Sequence, residues 1–326
     1  MTRGLVLGKF APLHRGHQHL IETALAAVDE LVVLVYDAPD VTDTPLATRA
    51  GWVRALYPTA TVIAGHGSPT AAGHDPAIMA LQERYIASVV PQPITHFFSS
   101  EWYGAHVAAS LGALDVRVDE ARAALPISAT QIRAEPFAHR HWLHPLVYRD
   151  LVELVVLLGA ESTGKSTLTE ALAQRWRTQW MPEFGREFWE AHHDADGRLT
   201  PEQLVALARE HLDREEALRV ESDRYLFVDT NALTTAMFAR FYHGAEHPDL
   251  AELARAAERR YHHTFVCDID IPYVEDGTRS GEAHRVRFQQ QIIDDLAERG
   301  VAYTLLRGTL DERMAQVADH LRRASA

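Results

Sequence analysis

Two stretches of this chain bring together residue types that handle phosphate. The first, GLVLGKFAPLHRGH (residues 4–17), contains G-x-F-x-P-x-H-x-G-H, made by Gly8, Phe10, Pro12, His14, Gly16 and His17. At the chain's own residue frequencies, chance would supply that pattern in about 5 of a million such sequences. Gly8 and Gly16 allow tight turns beside a ligand, and a helix starting near Gly16 would offer its first amides to phosphate. His14 and His17 can donate hydrogen bonds to phosphate oxygens as charge builds during attack on phosphorus, without losing a proton to substrate. The second stretch, GAESTGKS (159–166), matches G-x-x-x-x-G-K-[ST] between an apolar run and a helical one. Backbone amides from Ala160 through Glu161, Ser162, Thr163 and Gly164 to Ser166 are expected to cradle ATP phosphates, with Gly159 and Thr167 at the loop's two ends. Lys165 should reach the β and γ phosphates and Ser166 should hold Mg²⁺.

Each stretch contains one lysine, and the chain has no others. Thirty of its 32 basic residues are arginine, so Lys9 and Lys165 mark places where a compact, flexible ammonium has a use that a planar fork does not serve. Lys9 joins Gly8 and Phe10 as a candidate contact for a nucleoside triphosphate.

Further candidates lie outside the two loops. In ISATQIR (127–133), Ser128 and Thr130 can bond phosphate oxygens and Arg133 can neutralise a triphosphate. Alone, that segment reads as an ordinary helix start capped by Ser128 or Thr130. RYLFVDT (224–230) puts Asp229 at the end of an apolar strand, suited to holding Mg²⁺ directly or through water. MPEFGREFWE (181–190) offers Glu183 and Arg186. Glu183 could take the proton of an attacking hydroxyl or hold a ribose, and the sequence does not separate the two. Arg279, Arg285 and Arg287 in DGTRSGEAHRVR (276–287) read as a lid over transferring phosphate or, equally, as a solvated charged loop. Trp52, Trp102, Tyr103, Phe188 and Trp189 are candidates for stacking on a ligand's aromatic ring, although such aromatics more often pack in cores. The guanine-reading N-K-x-D would need a further lysine, which excludes the usual GTPase pattern and favours a small-molecule kinase.

The periodicity that must position these residues is strand and helix in alternation. Strands are expected at 5–8, 30–37, 61–65 and 94–100, with helices at 16–28 and 47–57 and a loop at 66–76. A connection over 136–150 precedes a restart with strands at 151–158, 224–230, 263–270 and 302–308. Helices are expected there at 201–221, 232–243, 249–260, 284–299 and 310–323. The fold class is α/β, with two doubly wound parallel-sheet domains at 1–146 and 147–326. With 24% charged residues and no apolar run near the roughly 20 needed to cross a bilayer, no membrane partner is expected. A cytoplasmic location is expected, since no signal-peptide pattern opens the chain. Cys267, the single cysteine, reads as a buried strand residue. The net charge of −13 argues against broad nucleic-acid binding. Self-association is left open.

GKFAPLHRGH together with ISATQIR resembles the HxGH nucleotidyltransferase superfamily, whose members transfer a nucleotidyl group and release pyrophosphate. Adding PLATRAGWVRALYP (45–58), FFSSEWYG (97–104), GAESTGKST, PEFGREF, DTNALTT (229–235) and DIPYVEDGTRSG (270–281), nearly the whole chain resembles the NadR-like bifunctional family. That resemblance implies phosphorylation of nicotinamide riboside by ATP, followed by adenylylation of nicotinamide mononucleotide (NMN) to NAD, with ATP as co-substrate and Mg²⁺ as cofactor. It implies small-molecule partners: the riboside, NMN, ATP and NAD. Some members carry an amino-terminal helix-turn-helix domain. Here the catalytic motif starts at residue 4, so no operator binding is expected. Two alternatives stand behind this reading: the same pair of reactions on another vitamin-type substrate, or one half acting as a non-catalytic nucleotide sensor.

Overall fold

The computed structural model describes residues 1–71, 73–91, 93–194, 197–274 and 282–324, which form two compact units, Met1–Tyr148 and Arg149–Ala326. In the first unit, β1 (Arg3–Gly8), α1 (Arg15–Ala27), β2 (Glu30–Tyr36), α2 (Leu46–Leu56) and β3 (Thr61–Gly65) alternate without a break. They are followed by α3 (Pro76–Val89), β4 (His96–Ser99), α4 (Gly104–Leu111), β5 (Leu114–Arg117) and the short α5 (Ala129–Ala134). The strands pair in parallel in the order β3-β2-β1-β4-β5. Apolar runs make the central strands: Leu5, Val6 and Leu7 of β1 and Leu31 to Val35 of β2 are buried, as expected where helices cover both faces.

A short α6 (Pro145–Arg149) spans the division, and the expected boundary after residue 146 falls inside it. The second unit runs β6 (Glu153–Leu158), α7 (Lys165–Trp176), β7 (Trp180–Met181), α8 (Gly185–His192), α9 (Pro201–Glu221) and β8 (Tyr225–Asp229). It continues with α10 (Ala232–His243), α11 (Pro248–Ala257), β9 (His263–Cys267), α12 (Glu282–Glu298), β10 (Thr304–Leu306) and α13 (Leu310–Ala324). Its parallel order is β10-β9-β6-β8-β7. Val155, Leu157, Phe227, Phe265 and Cys267 of the sheet pack with Leu168 and Leu172 of α7 and with Val317 and Leu321 of α13.

In each sheet the chain leaves its first strand and crosses over in both directions. The crevice beyond the carboxyl end of that strand is where ligands bind in doubly wound sheets. β1 delivers Gly8 and the histidine motif to that position; β6 delivers Gly159 and the lysine loop. Among the described residues no helix is long and apolar enough to cross a membrane.

The segment 136–150 is more than a connection. Leu143, Val147 and Tyr148 are buried, and Leu143 makes an isolated antiparallel bridge with His14.

Candidate active sites

In the first unit, the loop between β1 and α1 is shaped by its own side chains. Phe10 adopts φ 47° and is 1% exposed, its ring lying over Gly8, where a β-carbon would approach Phe10 Cζ to 3.2 Å. Phe10 therefore builds the loop with its ring, which also meets the His17 ring edge-on with centroids 5.1 Å apart. Lys9 is partly exposed, with Nζ 3.9 Å from Asp40 Oδ2. Its carbonyl accepts from Nη1 of Arg49, a guanidinium 1% exposed that also bonds the carbonyls of Tyr36 (2.7 Å) and Thr44 (3.1 Å). Arg49 lies on the buried face of α2 beside Ala50, Trp52 and Val53. An arginine inside an apolar helix face is a signal, but it is drowned in a chain with thirty arginines.

His14 and His17 are organised by the start of α1. His14 is its N-cap, with Nδ1 accepting the Gly16 N–H at 3.1 Å, while the His14 N–H points to Nδ1 of His17 at 3.4 Å. The rings stack with centroids 3.8 Å apart and planes inclined by 27°. Burial, then the charges of Arg122 and Arg133, pushes the His14 pKa down to about 4. Burial and the His14 ring hold His17 well below its ordinary value, against an opposing pull from the Pro12 carbonyl. Both rings are therefore neutral at pH 7. With Nδ1 accepting in each, the ring proton sits on Nε2, and on His17 that N–H has the Pro12 carbonyl as a hydrogen-bond partner.

Arg133 ties the second motif to the first. Its Nη1 donates to the Ala11 carbonyl at 2.7 Å and its Nη2 to Thr130 Oγ1 at 3.1 Å. Ser128 is occupied as N-cap of α5: its Oγ accepts the Gln131 N–H at 3.2 Å and Gln131 Oε1 returns to the Ser128 N–H at 2.9 Å. The structure shows the capped helix start, with Arg133 reaching from it to the Ala11 carbonyl of the histidine loop. Arg122, which sequence reasoning passed over, adds positive charge beside the histidines and bonds Glu101 Oε1 at 3.1 Å.

In the second unit, GAESTGKS folds as a phosphate loop with Gly159 at φ 141°, Ser162 at 58° and Gly164 at 78°. Lys165 is 7% exposed and its Nζ donates to the Ala160 carbonyl at 2.9 Å. The Ala160 N–H is taken by Gln289 Oε1 at 2.9 Å, so Ala160 is not one of the amides facing a phosphate. The loop borders a cavity of about 560 Å³ whose other walls include Glu183, Arg186, Trp189, His211, Asn231 and Phe238. Asn231 caps α10 through Oδ1 (Leu233 N–H, 3.0 Å), which leaves its buried Nδ2 without a hydrogen-bond partner among the described residues.

Asp229 ends β8 behind this wall, fully buried, with the Ser166 side chain as its hydrogen-bonding neighbour. Burial raises its pKa to about 6; Lys165 pulls it down and Glu183 pushes it up. A buried carboxylate beside the exposed Ser166 hydroxyl is a donor set suited to a hard, oxygen-seeking dication. No group of three or more His, Cys, Asp or Glu side chains that could hold a metal occurs among the described residues, so Mg²⁺ here would take most of its ligands from ATP and water.

Several stacking and lid expectations are corrected. Trp52 is 1% exposed and belongs to the core, because α2 turns it inward with Val53. Phe188 packs against Phe184 and His192 away from the cavity, whereas Trp189 lines it, anchored by its Nε1 to the Gly197 carbonyl at 2.9 Å. Tyr103 packs against Phe97, while Trp102 stays 40% exposed with the His74 ring 3.8 Å away. Arg285 is buried, donating to the Ser162 carbonyl at 3.1 Å and the Ile271 carbonyl at 2.8 Å, so it braces the loop from behind instead of covering it. Arg287 is exposed above the Phe241 ring. Arg279 lies outside the described residues.

Fold and sites together define a two-domain transferase, a nucleotidyltransferase-type unit joined to a kinase-type phosphate-loop unit. Residues 5–135 match the cytidylyltransferase-like family and residues 154–313 the AAA domain family. The chain is 30% identical over 322 residues to the trifunctional NAD biosynthesis/regulator protein NadR of Salmonella typhimurium, covering 92% of this chain and 77% of that one. It is 29% identical over 324 residues to the Escherichia coli protein of the same name, covering 93% and 78%. A crystal structure of NadR in complex with NR shares the fold, with TM-score 0.65 and 22% identity over 99% of this chain and 95% of that one. This chain belongs to the NadR family.

Proposed function

We propose that the second unit phosphorylates nicotinamide riboside with ATP and that the first adenylylates the resulting NMN, giving NAD and pyrophosphate. The observation that carries this reading is the presence, in one NadR-family chain, of two separately built anion-binding loops, one histidine-based and one lysine-based. NadR has been solved in complex with NR and in complex with NAD and AMP-PNP. We assign it a cytoplasmic location, small-molecule partners and, on its charge of −13, no nucleic-acid partner.

In the first unit the NMN phosphate, already ionised, attacks the α-phosphorus of ATP and pyrophosphate leaves. No general base is required. The Nε2–H donors of His14 and His17 stabilise the charge that develops on the phosphoryl oxygens, and Arg133 and Lys9 counter the triphosphate. In the second unit a riboside hydroxyl attacks the γ-phosphorus and ADP leaves as the bond to the β-phosphate breaks. Lys165 exchanges its bond to the Ala160 carbonyl for the phosphates, and Glu183 on the cavity wall accepts the hydroxyl proton. Asp229 and Ser166 would hold Mg²⁺, which would supply positive charge to offset that of the phosphates.

Incubation with nicotinamide riboside, ATP and Mg²⁺, following NMN and NAD separately, tests the whole reading. His17→Ala should stop NAD formation and spare phosphorylation. Lys165→Ala should stop phosphorylation yet still make NAD from supplied NMN. Absence of any phosphorylated riboside from the wild-type protein would refute the kinase assignment, and loss of both reactions in either folded variant would refute independent sites.

A further inference from the structure

The lysine loop is gripped from behind by side chains that its motif does not contain. A loop that turns amides toward phosphate turns carbonyls the other way, and buried carbonyls need donors. Arg313, 2% exposed on α13, donates Nη1 to the Thr163 carbonyl at 2.6 Å and Nη2 to the Asp268 carbonyl at 3.1 Å, and also pairs with Asp270. Gln289, 3% exposed on α12, accepts the Ala160 N–H at 2.9 Å and donates Nε2 to the Cys267 carbonyl at 3.0 Å. With Arg285, these residues tie the loop to the chain leaving β9. The two segments touch so closely that a β-carbon on Gly159 would lie 2.8 Å from the Cys267 oxygen.

Gln289 holds the residue on which the rest depends. The carbonyl of Ala160 accepts both Thr163 Oγ1 at 2.8 Å and Lys165 Nζ at 2.9 Å. The amide of the same residue is pinned by Gln289, whose own orientation is settled by its two bonds: oxygen to the Ala160 N–H, nitrogen to the Cys267 carbonyl. We propose that Gln289 is a positioning residue for the ATP loop, fixing Ala160 at its amide so that the amides after it converge on phosphate. This rests on reading the loop as the kinase's ATP site. Gln289 touches no substrate; it acts through Ala160.

The test uses the full chain with Gln289→Met, which keeps length and removes both bonds, and Gln289→Glu, which keeps the acceptor but sets an oxygen against the Cys267 carbonyl. Riboside phosphorylation should show KM for ATP raised about tenfold, as expected for loss of a buried polar anchor. KM for the riboside should stay within about twofold, and NAD formation from supplied NMN should be unchanged. Affinity for AMP-PNP at this loop, taken as the binding component that Lys165→Ala abolishes, should fall in parallel. Wild-type AMP-PNP affinity in either folded variant overturns the proposal. So does an equal rise in both KM values accompanied by a lower melting temperature, which would mark Gln289 as merely structural. Should Gln289→Met not fold, Gln289→Glu decides alone. If the wild-type protein phosphorylates no riboside, the kinase reading fails by itself, and the AMP-PNP measurement still judges Gln289.

Discussion

The His14 ring lies across Gly16 so closely that a β-carbon on that glycine would stand 2.9 Å from His14 Cε1 and 3.1 Å from Nδ1. Gly16 does not have a positive φ, so its need for glycine comes from the ring and not from the backbone. A methyl group there displaces His14 from its cap and from its stack on His17. Gly16→Ala should therefore cost about 1 kcal/mol of stability, the worth of an N-cap. It should lower NAD formation from NMN by about 100-fold, the scale for losing one preorganised donor, while leaving riboside phosphorylation intact. Paired rate and melting measurements check both halves.

The same histidines link stability to pH. Their native pKa values lie below the ordinary 6.5, so on acidification the unfolded chain takes up protons that the folded chain refuses, and stability falls as pH drops from about 6.5. For His14, with a native pKa of about 4, the loss between pH 7.5 and pH 5 is about 2 kcal/mol. The melting temperature of the first unit should fall over that range. His14→Asn should flatten the slope, because asparagine preserves the cap and does not titrate. An unchanged slope in that variant would count against neutral, buried histidines. ATP should reduce the slope as well, since phosphate favours the protonated rings.

Asp229 carries the opposite sign. Its native pKa of about 6 lies above the unfolded value of 3.8, so its contribution is most favourable below pH 3.8 and is lost as pH rises through 6. At pH 7.5, without ligands, the buried carboxylate therefore destabilises the second unit by on the order of 1–3 kcal/mol. Asp229→Asn should raise the melting temperature of that unit by a few degrees at pH 7.5 and abolish phosphorylation. Mg²⁺ with ATP should stabilise the wild type far more than the variant. A variant less stable than wild type at pH 7.5 and equally stabilised by Mg²⁺ and ATP would reject this account.

What could be read from sequence follows from the range of the interactions concerned. Apolar runs such as Leu5–Leu7 and Val155–Leu158 identify central strands because burial on both faces removes alternation. The helix α3 was hidden because Asp75-Pro76 reads as a turn, whereas here Asp75 caps the Ala77 N–H at 2.8 Å and Pro76 takes the first helical position. The short edge strand β5, with Leu114 61% exposed, has no apolar pattern to betray it. At the sites, loop residues adjacent in sequence were legible, since His14, Gly16 and His17 or Gly164, Lys165 and Ser166 act through local backbone. Arg49, Gln289 and Arg313 were not legible. Each reaches its loop carbonyl or amide across 40, 129 or 150 residues, and only the folded sheet brings them together.

Arg133 separates a charge role from a geometric one. Its fork spans two acceptors, the Ala11 carbonyl at 2.7 Å and Thr130 Oγ1 at 3.1 Å, and so connects the histidine loop to the first turn of α5. Lysine preserves the charge but cannot reproduce two divergent donors on a rigid plane. If Arg133 serves only to attract triphosphate, Arg133→Lys should retain nearly full NAD formation and lose mainly at high salt, where an exposed charge is screened. If it also holds the loop, Arg133→Lys should lower kcat/KM for NAD formation by about 10- to 100-fold at any ionic strength, because the donors of His14 and His17 are then misplaced by a fraction of an ångström. The short bond to Ala11 favours the second outcome. A salt series on the variant, with phosphorylation of the riboside as the unaffected control, distinguishes the two.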